Sequence, residues 1–414
     1  MKGNHIKMAT QYMQSPFIYK IKFKIGNIDL SNQILGISFI NSINIMFQIF
    51  KINVILNKSD IVKEKIFGDK YANLTIFFKH RKYEYKLIIL DHRFDSQNIN
   101  SNSTSTDACN CEFKCALECD FKILSKDYVK VFHNKTLKEI IKTMSDDLGI
   151  NLFLNPYELN GNKIDQVLLS HRNPVQHVLY LDKYFGLYDG PLLVFLYNKN
   201  LVIDNLNYLI KTPPVLMFNR FNYASGQNVL NPPKGIIKYC EKNENCFNFY
   251  NPLFYTNNGP KKVGIMGETI EIIAKPSTKL FYPIELKLSN ICKECGVVDG
   301  FDKTFYNPEL KNNKVYYIDE TGYEETKFFA RAFFSKKVAN QFQIKFELNG
   351  YILLQHVNSI GQPFLLKSWD PNEIELNGKY ILQSIEINLI NSRNEWQERV
   401  VIYGMKTNFV AGRT

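Results

Sequence analysis

Residues 17–25 read FIYKIKFKI, and every second side chain is apolar. Phe17, Tyr19, Ile21, Phe23 and Ile25 fall on one side of an extended chain, with Lys20, Lys22 and Lys24 on the other. A period of two is that of a strand buried on one face. The pattern continues at Ile45, Phe47 and Ile49 and in FKINVIL (50–56). LTIFF (74–78) and YEYKLIIL (83–90) add two more strands around the charged turn KHRK. Residues 1–125 therefore read as an antiparallel β-domain, a barrel or a sandwich. FDSQNINSNSTSTD (94–107) has too few apolar residues to pack, and is expected to be a long mobile loop joining two strands.

CNCEFKCALECDFKIL (109–124) holds four of the eight cysteines. Counted by twos, Cys111, Phe113, Cys115, Leu117, Cys119, Phe121 and Ile123 share one side, and charged residues dominate the other. This predicts a strand through to residue 124. Cysteines along one strand face stand about 7 Å apart per two-residue step, too far for neighbouring thiolates to share a tetrahedral zinc. Core packing is the expected role of Cys109, Cys111, Cys115 and Cys119, since a free cysteine behaves as a small hydrophobe.

The period then changes. In TLKEIIKTMSDDLG (136–149), Leu137, Ile140, Ile141, Met144 and Leu148 recur at helical spacing. Thr136 and Glu139 form a capping box, and Gly149 suits the left-handed residue that ends a helix. A second helix is expected from Asn173-Pro174, with Val175, Val178, Leu179 and Phe185 on its apolar side. PLLVFLYNKNLVID (191–204) reads as a hairpin turning at Asn198-Lys199-Asn200. These elements make residues 126–212 an α/β insert. Pro213-Pro214 and Pro232-Pro233 bracket a strand-like crossing, 213–234, towards the second β-domain. Residues 235–320 are irregular, with strand fragments such as GIIKYC and TIEIIAK.

Regularity returns in residues 321–414. YEETKFFARAFFSKK (323–337) reads as a helix, its acids at the start and lysines at the end matching its dipole. QFQIKFELNG alternates Phe342, Ile344, Phe346 and Leu348 with polar residues; Tyr380–Leu389 and Arg399–Tyr403 add strands around NSRNEW. The fold class expected is mainly β, α+β overall: two similar antiparallel β-barrel domains with an α/β insert between them.

Composition restricts the partners. Lysines and arginines give the 414-residue chain a formal net charge of +11, but the lysines are scattered among apolar residues and no nucleic-acid motif is present. The first fifteen residues have no apolar signal core. The most apolar window, 34–50, is interrupted by Ser38, Asn41, Ser42, Asn44 and Gln48, so no membrane anchor is expected. A cytoplasmic place of folding implies reduced thiols.

No nucleophile elbow, zinc-protease motif or phosphate-binding loop occurs. Of the seven histidines (His5, His80, His92, His133, His171, His177 and His356), His171 and His177 lie beside the second helix and are expected at the surface. Asp182, Asp189, Asp204, Asp370 and Glu373 lie near turns, where acids are usually solvated or capping. No catalytic residue is nominated. The remaining cysteines allow one metal reading: Cys292 and Cys295 form a C-x-x-C pair, and Cys240 with Cys246 could complete a four-cysteine structural zinc site. Unrelated thiols are the alternative, and no other cofactor is expected.

The order of these parts resembles the baseplate hub of contractile-tailed phages, a module shared with type VI secretion spikes and R-type tailocins. The resemblance rests on TLKEIIKTMSDDLGI (136–150), LYLDKYFGLYDGPLLVFLYNKNLVIDN (179–205), and the closing GYEETKFFARAFF, FQIKFELNG, GKYILQSIEINLI and WQERVVIYG, and spans about residues 17–406. It implies a non-enzymatic structural protein of the virion tail, assembled in the host cytoplasm. Hubs of this kind are homotrimers whose two barrels per chain form a six-barrel ring, matching the sixfold tail tube on one side and the threefold central spike on the other. The ring would surround a channel for genome ejection, with DNA passing without specific binding and the surplus lysines mostly outside the lumen. The chain stops at Thr414 without a repetitive needle, as expected of a stand-alone hub. Three other readings are a tail-associated cell-wall hydrolase, the spike base of a phage-derived injection system, and a polysaccharide- or receptor-binding β-protein.

Overall fold

The computed structural model describes residues 19–43, 45–57, 68–78, 81–95, 108–188, 192–221, 234–257, 269–275, 282–287, 315–319, 342–349, 359–370, 373, 376–392 and 395–406. Over these residues the protein is mainly β, as the alternation predicts. The chain divides into two compact units, each discontinuous in sequence.

The first unit comprises Met1–Lys122, Glu347–Asn358 and Ser384–Val401. Its opening strands are β1 (Tyr19–Ile25), β2 (Ile28–Asp29), β3 (Ile34–Ser42), β4 (Ile49–Asn57), β5 (Tyr71–Phe78), β6 (Arg81–Asp95) and β7 (Ala108–Leu117). They pair in the order β2-β1-β5-β6-β7-β4-β3, antiparallel at every step. A later strand adds to β3 through Ser384–Ile390. β1 buries Tyr19, Ile21, Phe23 and Ile25 and exposes its three lysines, in full agreement with its period of two. The same alternation puts Phe23, Phe39, Phe50 and Phe113 out of contact with solvent. Tyr85 meets Phe39 and Phe50 at centroid distances of 5.8 and 5.1 Å. Truncating one such ring to alanine costs roughly 3–5 kcal/mol, so each ring is a substantial part of the unit's core. β6 pairs with β7 from Leu87 to Asp95, its register shifted by a bulge between Ile89 and Asp91. Ile45 and Phe47 depart from expectation: they lie in a bend between β3 and β4.

β7 also ends earlier than its alternation predicts. Helix α1 (Glu118–Leu124) follows at once, and burial switches to Leu117, Asp120 and Ile123, a spacing of three. The alternating Cys119 and Phe121 concealed the change of period. The readable signal was Glu118 and Asp120 in the first turn, with Lys122 placed to pair with Glu118 one turn on.

The second unit comprises Ile123–Phe346, Ser359–Gln383 and Ile402–Thr414. It opens with β8 (Tyr128–Thr136), α2 (Leu137–Leu148), β9 (Asn151–Leu154), β10 (Lys163–Arg172) and α3 (Pro174–Phe185). Both reciprocal bonds of the Thr136–Glu139 capping box are made, and Gly149 is left-handed at φ 67°. Asn173 and Gln176 form a second capping box in front of Pro174. The hairpin of β11 (Leu192–Tyr197) and β12 (Asn200–Asn205) turns through Asn198 and Lys199, with φ 47° and 63°. Positive φ at both turn residues matches the turn twist to that of the strands. β9 then pairs with β12 in parallel.

After α4 (Leu206–Lys211) come β13 (Leu216–Arg220), α5 (Lys234–Lys242), β14 (Cys246–Phe249) and β15 (Phe254–Asn257). β16 (Thr269–Lys275), β17 (Tyr282–Lys287) and β18 (Val315–Asp319) form a small mixed sheet. GIIKYC thus lies in a helix, contrary to its reading as a strand fragment; Ile236, Ile237 and Cys240 are spaced by three and four. The helix expected at 323–337 lies outside the described residues. The final strands are β19 (Phe342–Asn349), β20 (Pro363–Ser368), β21 (Gly378–Ser392) and β22 (Glu395–Lys406). β13 pairs in parallel with both β14 and β20, and β20 pairs antiparallel with Pro363–Leu366 against Gly378–Ile381 of β21.

His177 corrects another expectation. Pro174, His177, Val178, Leu181 and Phe185 share the inward face of α3, so this histidine is buried. Its Nε2 lies 2.9 Å from the carbonyl oxygen of Tyr128 and donates to it. Burial holds its pKa below the ordinary histidine value of 6.5. A base with a depressed folded pKa binds fewer protons folded than unfolded, so stability is complete above about pH 6.5 and falls as the pH drops below it. The stability lost between about pH 7 and about pH 5 should be smaller in His177→Gln than in the parent, read from urea unfolding midpoints.

Candidate functional site

β13 is an apolar strand that ends in a charge. The Arg220 side chain is only 7% exposed, as is Asp370. Its Nη1 lies 3.5 Å from Asp370 Oδ2 and also bonds the Glu373 carboxylate, while Nε donates to the Asn251 carbonyl at 3.1 Å. The backbone closes the arrangement. Trp369 N–H donates to the Arg220 carbonyl at 3.0 Å, and Ser368 Oγ donates to Glu373 Oε2 at 2.8 Å. Asp370 N–H in turn donates to Ser368 Oγ at 3.3 Å.

This cluster stands beside an aromatic layer. Phe218, two residues before Arg220, meets Phe247, Phe346 and Phe364 at 5.4, 5.1 and 5.3 Å, and Phe249 stacks on Phe346 at 4.8 Å. Asp370 and Glu373 are therefore neither solvated nor helix caps, as turn acids were expected to be. They neutralise a guanidinium that could not otherwise be buried. Arg220 itself was not singled out from the sequence, because its partners lie 150 and 153 residues away and no local pattern announces them. With all three charges paired, the chemistry on offer is cross-linking of β13 to the chain after β20.

The cysteines separate into two groups. Cys109, Cys111 and Cys115 are buried in β7, facing Leu56, Val54 and Phe50 of β4, which is the core role expected. The Cys109 and Cys111 sulfurs nevertheless approach to 3.8 Å, closer than the backbone step implies, because side chains on one face can lean together. Burial pushes the Cys111 and Cys115 thiols up to about 12, helped at Cys111 by Cys109. Cys119, on α1, is raised to about 11 by burial and then by Asp120. Thiols so shifted carry little thiolate near neutral pH.

Cys240 and Cys246, from the end of α5 and the start of β14, are joined as a disulfide across a Cα separation of 4.7 Å. Asn219 Nδ2 lies 3.1 and 3.4 Å from the two sulfurs. The structure joins this pair where reduced thiols were expected. A closed disulfide offers no thiolate to a metal, so a zinc site of Cys240, Cys246, Cys292 and Cys295 would require its reduction first. Cys292 and Cys295 lie outside the described residues. Among the described residues, no group of three or more His, Cys, Asp or Glu is arranged to hold a metal ion.

The other nominated residues are dispersed. Asp204 is half-buried, which raises its pKa, and accepts from Asn155 Nδ2 and from Asn205 N–H at 2.5 and 2.7 Å. Asp182 accepts from Leu187 N–H at 3.1 Å just beyond the end of α3. His171 is exposed, 3.8 Å from Asp127, as expected. Asp189 lies outside the described residues.

The described residues thus form a mainly β chain of two compact units, with helices interspersed among the strands of the second. No family profile and no curated protein matches the sequence. Solved structures do. The tail protein from Neisseria meningitidis MC58 aligns over 94% of this chain and 96% of its own, with a TM-score of 0.53 at 9% identity. The 43 kDa tail protein of prophage MuSo2 from Shewanella oneidensis aligns over 94% and 97%, with a TM-score of 0.52 at 11% identity. The chain shares the fold of these tail proteins over 94% of its length.

Two outcomes follow from the site. Arg220→Met strands the buried Asp370 and the half-buried Glu373 carboxylates and should lower unfolding stability by roughly 3 kcal/mol, seen as a fall in the urea midpoint with an unchanged slope. Protein purified without reductant should carry well under one zinc per chain and gain the two thiols of Cys240 and Cys246 on mild reduction. Stoichiometric zinc in the unreduced protein would overturn the disulfide.

Proposed function

We propose that this protein is the hub of a contractile-tail baseplate, a structural and non-enzymatic component of a phage tail. The observation that carries this reading is the alignment with two tail proteins over nearly the whole of both chains, helical insert included. A fragmentary match could reflect a common β-domain alone. A match over most of both chains supports a shared architecture.

In this reading the chain acts as a homotrimer. Three chains, each with two barrel-like β-domains, present six similar surfaces to a sixfold tail tube and a threefold surface to a central spike. The ring surrounds the path of genome ejection, and DNA passes without specific contacts. Assembly takes place in the host cytoplasm, with further baseplate proteins as partners, and no cofactor is required. The closed Arg220 cluster supports a mechanical role, since its charges serve cohesion. The spike base of a phage-derived injection system has the same mechanics and differs only in its cargo.

The test is the mass in solution. Light scattering should give three times the 48.3 kDa chain mass, alone or with the cognate spike protein. A chain that stays monomeric under both conditions is not a hub. Clearing of host peptidoglycan in a zymogram would favour the cell-wall hydrolase instead.

A further inference from the structure

The three lysines of β1 sit in a larger pattern that the hub reading does not use. The register of β1, β5 and β6 places Lys20 and Lys82 on either side of Phe77, and Lys24 and Lys86 on either side of Asn73. Between these rows, Thr75 is flanked by Lys22 and Glu84. All five lysines are exposed, and the opposite face of the same strands is the buried core. The middle strand is thus neutral, and a line of charge runs along each side of it. The lysines of β1 stand about 7 Å apart, Lys82 and Lys86 of β6 about 14 Å apart with Glu84 between them, and the two lines about 10 Å apart.

Among the described residues, Glu84 and Asp29 are the acids that oppose them: Lys82 pairs with Glu84 at 2.6 Å and Lys24 with Asp29 at 3.7 Å. Lys22 and Lys82 each lie 5.9 Å from the centre of the Phe77 ring. Farther along the same sheet the signs are interleaved instead, with Arg93 opposite Glu112 and Asp91 opposite Lys114. Like charges side by side on one sheet face repel. A face kept only for solubility would mix its signs evenly, as the β6–β7 end does, whereas these three outward rows hold five lysines and one glutamate.

We propose that the outer face of β1, β5 and β6 docks an acidic protein segment in extended conformation, lying along β5 between the two lines of lysine. An extended chain repeats every second side chain at the same interval of about 7 Å, so alternate carboxylates meet the successive lysines of β1, and Lys82 and Lys86 flank the same chain from the β6 side. The neutral middle strand lets that chain approach. Single-stranded nucleic acid fits less well. It needs rings close enough to stack successive bases, and the outward rings of β5, Tyr71 and Phe77, are six residues apart, roughly 20 Å. None of these rows holds an arginine to fork a phosphate. The proposal stands independently of the hub reading and needs only the isolated chain.

The probe is a fluorescent peptide of alternating Glu and Thr, long enough to span β5, titrated against the full chain in about 50 mM salt. Lys20→Gln/Lys22→Gln/Lys86→Gln should weaken binding about tenfold or more while leaving the thermal midpoint unchanged. The control Lys138→Gln/Lys142→Gln/Lys163→Gln removes the same charge from the second unit and should change affinity less than about twofold. Equal weakening by both variants would reduce the effect to net charge and overturn the proposal. So would absence of peptide binding, or tighter binding of an oligothymidylate than of the peptide.

Discussion

Each strand of the first unit has to hide one row of side chains while its other row faces out, and the rest of that unit depends on this constraint. The buried row of β1 is Tyr19, Ile21, Phe23 and Ile25, and each partner strand is held in the register that puts its own apolar row beside it. A slip of one residue would bring Lys20, Lys22 and Lys24 into the core and put the aromatic row in water. Register is therefore strongly specified, and with it the positions of all outward side chains. The arrangement of charge on the outer face is a consequence of core packing, although the core chemistry says nothing about which charges those are.

The second unit solves a different problem. Its strands β13, β14 and β20 are parallel neighbours, and strands buried in that way read as short apolar runs with no alternation. LMFNR and CFNF carry no period that marks them as strands from sequence. Cohesion there comes from the rings about Phe218 and from one buried charge cluster. Buried ion pairs add little net stability compared with apolar packing, but a broken one costs several kcal/mol. Arg220 therefore serves registration: the aromatic layer would tolerate several packings, and the guanidinium is satisfied only where Asp370, Glu373 and the Asn251 carbonyl converge.

What was legible in the sequence follows from the range of the interactions. β1, the capping box at Thr136, the Pro174 start of α3 and the Asn198-Lys199 turn are specified by residues within four positions of one another, and each is found where local chemistry places it. The failures also have local causes. In CNCEFKCALECDFKIL the apolar residues keep step with a strand after the backbone has turned into α1, because Cys119 and Phe121 continue the alternation without being buried by it. His177 could have been assigned to the inner face of α3 from its place three residues after Pro174. Arg220 with Asp370 could not, since nothing in a local window couples residues 150 apart.

The two cysteine groups carry the same lesson one step further. In β7 the thiols face apolar partners from β4, and burial favours the protonated form of Cys111 and Cys115, which makes them slow to oxidise. At α5 and β14 the backbone brings two sulfurs together beside Asn219, an amide that can donate to either of them. The C-x-C spacing, read with its alternating neighbours, predicts the first outcome, and the C-x5-C spacing does not predict the second. The deciding quantity is what the sulfur meets. A thiol facing Val54 and Phe50 is a methyl-sized hydrophobe, and one facing a second cysteine across a helix end is a cross-link. For a protein whose proposed work is to transmit force without chemistry, both are means of holding strands and helices in place.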